Sequence, residues 1–201
     1  MNEYYYDKLL NINTGGNPKE LHRSIHYYPY EPTQYSALKI LFNNFEVNKT
    51  DHVVDYGSGK GRLIFYINYF YQAEGVGIEM DETLHHIAVQ NQSSYLIKNS
   101  KSTDKINFLC CLAEAYEIKP ADNLFYFFNP FSKEIFMTIV NKILISVEHN
   151  PREIELILYY ASEDYTYFLE NDTSFELRKE IRLPAYNHDN YERFLIYHLY
   201  Q

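Results

Sequence analysis

Three glycines alternate with single residues in the run VVDYGSGKGR, residues 53–62, and an aspartate precedes them. Gly57, Gly59 and Gly61 lack the Cβ that confines other residues largely to negative φ, so the chain can reverse sharply here at little steric cost. The apolar run ahead of the turn, His52 to Tyr56, has the length of a strand. After it, Leu63, Ile64, Ile67 and Phe70 recur at helical spacing. Strand, glycine turn and helix in that order are the opening unit of an α/β sheet whose strands run mostly parallel.

The rest of the chain repeats that alternation. A helix over Thr33 to Phe45 precedes the turn, with Tyr35, Leu38, Leu41, Phe42 and Phe45 on one face and Thr33 placed to cap it. A second strand, Gly75 to Met80, leads to Asp81, an N-cap for a helix that turns Leu84, Ile87 and Ala88 inward. The third strand is Ile106 to Cys111, and the fourth, Asn123 to Phe128, is continuously apolar, as a strand covered on both faces must be. It ends at Asn129-Pro130. Ser132 then caps a helix in which Ile135, Phe136, Ile139, Val140, Ile143 and Leu144 recur. Ile154 to Ala161 is a fifth strand, followed by an irregular acidic and aromatic stretch. Phe175 to Leu183 alternates, with Glu176, Arg178, Glu180 and Arg182 on a wet side, and Arg193 to Tyr200 pairs with it across a turn-rich PAYNHDN. The expected fold is a Rossmann-like, doubly wound, seven-stranded sheet, mostly parallel, with a C-terminal antiparallel hairpin. One domain, 33–201, carries it, preceded by a segment, 1–32.

Composition narrows the function. The 201 residues hold no uncharged apolar run near the ~20 residues of a membrane span, and the acidic, aromatic start is unlike an export signal, so a cytoplasmic protein is expected. Cys110 and Cys111 are neighbours in sequence, a poor geometry for a structural disulfide. They read as buried thiols, and no His/Cys pair at zinc spacing accompanies them, so no metal is expected. His85 and His86, about 100° apart on a helix, read as a solvated face rather than as ligands of one metal. The net charge of -9 and the lack of a basic run argue against a nucleic acid held by this chain alone, so a protein or small-molecule partner is favoured. The 22 tyrosines read as core residues with a wet edge.

Three ligands use glycine-rich turns. A phosphate loop needs a glycine, four further residues and then Gly-Lys-Ser/Thr, but Val54 stands at that first position and Gly61 follows Lys60. A dinucleotide turn places two residues between its second and third glycines, whereas single residues separate them here.

Asp55, Gly57, Gly59 and Gly61 as they stand match the Asp-x-Gly-x-Gly-x-Gly turn, and the chain resembles the seven-strand (class I) S-adenosylmethionine-dependent methyltransferases. The resemblance covers about His26 to Tyr200. It implies S-adenosyl-L-methionine as cofactor and methyl transfer as activity. Asp55, Gly57, Ser58, Gly59 and Gly61 would shape the methionine side of its pocket. Glu79, at the end of the second strand, would accept the ribose hydroxyls, with Met80 beside it. CCLAEAYEI is similar to the segment that addresses adenine, with Ala113 and Glu114 as its contacts, although Leu112 stands where the family has an aspartate. Asn129-Pro130-Phe131 resembles, with one proline missing, the motif that receives an amine beside the methyl group, which makes Asn129 both a cofactor contact and the catalytic candidate. Tyr30 to Thr33 is similar to a Tyr-x-Pro-Thr segment that folds over the cofactor in small lysine methyltransferases of this class, so residues 1–32 are expected to cover the pocket. A silent cofactor-binding module and a nicotinamide-dependent oxidoreductase stand as alternatives.

Overall fold

The computed structural model describes residues 3–16, 30–99 and 105–200. Helix α1 (Glu3–Leu10) precedes α2 (Tyr35–Asn44). Then follow β1 (His52–Tyr56), α3 (Arg62–Tyr71), β2 (Glu74–Glu79), α4 (Glu82–Lys98) and β3 (Ile106–Cys110). The second half is β4 (Leu124–Phe128), α5 (Lys133–His149), β5 (Ile154–Tyr159), α6 (Glu163–Asp172), β6 (Glu176–Arg182) and β7 (Arg193–Leu199). The strands form one seven-stranded sheet in the order β3-β2-β1-β4-β5-β7-β6. Pairs from β3 through β5 are parallel, and β7 is antiparallel to both of its neighbours.

Side chains of successive strand residues face opposite sides of the sheet, and each side is covered. Val53, Leu124 and Tyr126 face a core built with α1 to α4, including Leu10, Leu38, Leu41, Phe65 and Tyr95. Val54, Tyr56, Phe125 and Phe127 face a second core built with α5 and α6, including Phe136, Ile139, Ile143, Tyr165 and Leu169. Two helical layers on one parallel sheet require crossovers on both faces, which is the doubly wound arrangement. The tyrosine-rich composition serves these cores: Tyr35, Tyr95, Tyr165 and Tyr197 are fully buried rings whose hydroxyls bond Asp7, Asn68, the Phe131 carbonyl and Glu170.

Several local expectations change. Helix α1 lies where none was read, because its buried contact is Leu10 and the rest of its face is tyrosine. The stretch after β5 forms α6, anchored by Tyr165, Phe168 and Leu169. Thr33 does not cap α2, whose N-cap is Gln34; the Thr33 hydroxyl is buried against the Tyr126 hydroxyl at 2.7 Å. Ser132 occupies the N-cap of α5, but its buried Oγ bonds nothing among the described residues. Asp81 does cap α4, accepting from the Thr83 and Leu84 amides. Cys110 is exposed and Cys111 half-buried, not interior thiols, because β3 is the edge strand of the sheet. Phe70 is 42% exposed at the last turn of α3.

Candidate functional site

Strands β1 and β4 are neighbours, yet the connections leaving them run to opposite sides of the sheet. In open α/β sheets the crevice outside such a switch point, at the carboxyl ends of the strands, is where ligands bind. The glycine turn, Glu79 and Asn129 all stand there.

The turn folds back on the end of β2. The Gly57 and Ser58 amides both donate to the Ile78 carbonyl at 2.9 and 3.0 Å, and the Gly61 amide donates to the Ser58 carbonyl at 2.8 Å. The Gly59 amide donates to Glu79 Oε2 at 2.9 Å, while the Asp81 amide donates to Glu79 Oε1 at 2.8 Å. The two elements picked out by spacing are thus joined by a direct hydrogen bond. Glu79 is 8% exposed, and burial pushes its carboxyl above the usual range while the two amides pull the other way. Asp55 is 5% exposed, and among the described residues its carboxyl makes no hydrogen bond. Burial first, and the Glu79 charge second, push its pKa up to about 8. A pair of buried acids without a basic partner among the described residues favours a cationic ligand with N–H or O–H donors over an anionic one.

The glycines serve close packing as well as chain reversal. Gly59 has φ +55, and a Cβ there would lie 2.2 Å from Cε2 of Tyr30. Gly57 has φ +79 and meets Pro130, whose Cβ would be 2.9 Å away. The space above Gly59 belongs to the N-terminal segment. Of the 1–32 segment expected to cover the pocket, residues 1, 2 and 17–29 lie outside the described residues. Tyr30 donates its hydroxyl to the Thr14 carbonyl at 2.7 Å. Two bases of the turn hold that segment down. Lys60 Nζ donates to the Gly15 and Gly16 carbonyls at 2.6 and 2.8 Å and lies 5.0 Å from the Tyr30 ring centre. Arg62 donates to Thr14 Oγ1, Glu3 Oε2 and the Thr33 carbonyl and stacks over Tyr35. Both cations are spent on the protein itself and are not aimed at a phosphate. Sequence reasoning expected the Tyr30 to Thr33 segment over the pocket but missed Lys60 and Arg62 in these roles, since their hydrogen-bond partners lie 29 to 59 residues away.

Ala113 is buried at the start of a 3₁₀ turn, Ala113–Ala115, and the Glu114 carbonyl accepts from Lys142 Nζ at 2.7 Å. Met80 is 38% exposed in the link between β2 and α4, and the Cys111 amide donates to the Glu79 carbonyl. Asn129 is half-buried with φ +38, a left-handed conformation that asparagine tolerates better than most residues. The Phe131 ring is only 3% exposed, inside the α5–α6 core, so it is not a surface on which an amine could stack. A separate cleft of about 510 Å³ opens at the amino ends of the parallel strands, between Asn44, Asp51, Asn123, Glu155 and His198, at the other end of the strands from the glycine turn. Among the described residues no group of His, Cys, Asp and Glu is arranged to hold a metal, and no helix is long and apolar enough to cross a membrane.

No family model and no curated protein sequence matches the chain. Solved structures do. An RNA methyltransferase from Salinibacter ruber in complex with S-adenosyl-L-homocysteine matches over 84% of this chain and 92% of its own, at 16% identity and a TM-score of 0.55. The N-terminal domain of human METTL16, also with that product, matches over 86% and 73%, at 12% identity and 0.57. Pyrococcus abyssi tRNA (uracil-54, C5)-methyltransferase matches over 85% and 40%, at 14% identity and 0.55. The fold is that of class I S-adenosylmethionine-dependent methyltransferases. These neighbours also correct the expectation of a protein or small-molecule partner in preference to nucleic acid: those whose substrate is printed act on RNA. Net charge sums over the whole surface, whereas a nucleic acid is bound on one face, and its base edges are read by acceptors as well as by cations.

Proposed function

We propose that this chain binds S-adenosyl-L-methionine across the ends of β1 and β2 and transfers its methyl group to RNA. The observation that carries the reading is the Gly59 to Glu79 hydrogen bond beside an Asp55 carboxyl with no partner among the described residues. Asp55 would accept from the cofactor's ammonium group. The lone pairs of Glu79 not used by the Gly59 and Asp81 amides would accept from ribose hydroxyls. Met80 and Ala113 would border the adenine, with Glu114 beside them, and Asn129 would lie at the methyl end. A site with two acids and its own cations tied up suits a ligand without phosphate, which disfavours a nicotinamide dinucleotide.

The bound sulfonium supplies an already activated methyl carbon. The chain's task is therefore to orient the acceptor, exclude water and accept hydrogen bonds from the attacking group. Asn129, in the left-handed turn at the end of β4, would supply one such acceptor through its side-chain oxygen.

Titration calorimetry with S-adenosylmethionine, its demethylated product and nicotinamide nucleotides tests the cofactor, and labelled-methyl transfer into RNA tests the reaction. Glu79→Ala is expected to weaken cofactor binding roughly tenfold or more with the fold retained, as loss of hydrogen bonds to a charged acceptor does. Unchanged affinity would remove Glu79 from the ribose site, and preference for nicotinamide nucleotides would overturn the reading.

A further inference from the structure

Beyond the cofactor crevice, β4 and β5 leave the sheet in an unusual way. Phe128 and Tyr159 are opposite one another in register, and the next residue on each strand, Asn129 and Tyr160, is left-handed, with φ +38 and +54. For a bulky tyrosine that conformation is a true outlier, and strain of this kind concentrates where a side chain must be aimed. Tyr159 is the buried footing, packed on Phe128 and Phe194 at 4.4 and 4.6 Å between ring centres. Tyr160 is half-buried and packs on half-buried Tyr191, with ring centres 5.4 Å apart.

The connection between β6 and β7 locks this aromatic pair. The Tyr160 hydroxyl donates to Asp189 Oδ2 at 2.5 Å, the Tyr191 amide donates to Asp189 Oδ1 at 3.0 Å, and the Tyr159 hydroxyl donates to Glu192 Oε2 at 3.0 Å. Glu192 Oε1 has no hydrogen bond among the described residues, and neither Asp189 nor Glu192 has an ion-pair partner among them. Glu31, from the segment that crosses the glycine turn, adds a third negative charge acting on Tyr159 and Tyr160. The result is a rigid aromatic surface edged by carboxylates, one strand from Asn129. Carboxylates repel a phosphate but accept from the amino and ring N–H groups on a base edge, and aromatic rings stack on the face of a base.

We propose that Tyr160 and Tyr191 form the stacking seat for an unstacked nucleobase and that Glu192 accepts from N–H groups on its edge. The seat rests on the methyl-transfer reading, whose acceptor it specifies as a single-stranded or flipped base carrying an amino group. It also accounts for an acidic chain with an RNA substrate: the base, not the phosphate backbone, is what this face holds.

The test uses the full chain with Tyr191→Leu, which keeps apolar bulk without the π-face, and Glu192→Gln, which keeps shape without the charge. Binding is read by fluorescence anisotropy of end-labelled RNA, because the emission of 22 tyrosines cannot isolate one stacked ring. Short single-stranded RNA oligonucleotides are titrated without cofactor, and labelled-methyl transfer into the same oligonucleotides follows. Tyr191→Leu is expected to weaken RNA binding about ten- to a hundredfold, the loss of one stacked base, and to raise KM for RNA alike. Glu192→Gln is expected to reduce preference for adenine- and cytosine-containing oligonucleotides over oligouridine, with cofactor affinity unchanged in both variants. RNA binding equal to wild type in both variants, each shown folded by circular dichroism, overturns the seat whether or not cofactor binds. Failure of every form to bind S-adenosylmethionine overturns the methyl-transfer reading instead.

Discussion

Asp55→Asn should change how the free protein's stability depends on pH. The carboxyl has an ordinary value of 3.8 and is raised to about 8 in the folded chain by burial and the Glu79 charge. The folded state therefore holds this proton more tightly than the unfolded state does. The stabilisation is full below the unfolded pKa and is lost as pH rises through the folded one, at about 1.4 kcal/mol per pH unit. Across the whole interval that is on the order of 5 kcal/mol, a large share of the roughly 5–15 kcal/mol that holds a domain together. Asparagine is uncharged at every pH and fits the same space. Between pH 5.5 and 8 the variant should thus gain about 3 kcal/mol on wild type. Urea unfolding of both proteins at half-unit pH intervals, without ligand, measures the difference directly. Groups that do not interact with Asp55 titrate alike in both proteins and cancel in the comparison, which leaves Asp55 and its coupling to Glu79. Parallel stability profiles would refute the claim that Asp55 is buried without a compensating partner. The same linkage governs ligand binding: a ligand that brings an ammonium group to Asp55 must displace its proton, so wild-type affinity should rise up to about pH 8 and level off above it.

Two further predictions concern the glycine turn and the segment over it. Gly59→Ala should destabilise the fold by roughly 2 kcal/mol or more, since a left-handed alanine costs about 1–2 kcal/mol and its Cβ also meets Tyr30. Thermal unfolding of Gly59→Ala beside Gly59→Ala/Tyr30→Ala should show the second change restoring part of the loss, and no rescue would mean the two residues do not touch. Lys60→Met should leave global stability within about 1 kcal/mol, because the Gly15 and Gly16 carbonyls are exposed and can turn to water. Local opening should increase, read as faster amide exchange at residues 12–16 with α3 unaffected; unchanged exchange would show that Lys60 is not what holds the segment.

Much of the fold was legible along the chain because its signals are local. Apolar runs of strand length, helical spacing in α3 and α5, and the Asp81 cap each depend on residues within a few positions of one another. Helix α6 was missed because its first turn is acidic and its buried face is only Tyr165, Phe168 and Leu169, too short a pattern to show a clear period until the α5 surface covers it. Within the site, the glycine turn and Glu79 were readable by spacing, since a crossover of fixed length joins them.

What the sequence alone determined is the order of the seven strands and the glycine turn with Glu79 at the candidate crevice, because backbone freedom and strand periodicity are properties of short stretches. Only the tertiary structure decided what surrounds them. Tyr30 over Gly59, the Lys60 and Arg62 ties to the N-terminal segment, the burial of Phe131 and the Tyr160–Tyr191 pair join residues distant in the chain or hinge on which side a ring faces. The raised pKa of Asp55 belongs with these, since a carboxyl's proton affinity follows from the water and charges around it, and those are set when the sheet and its two helical layers close.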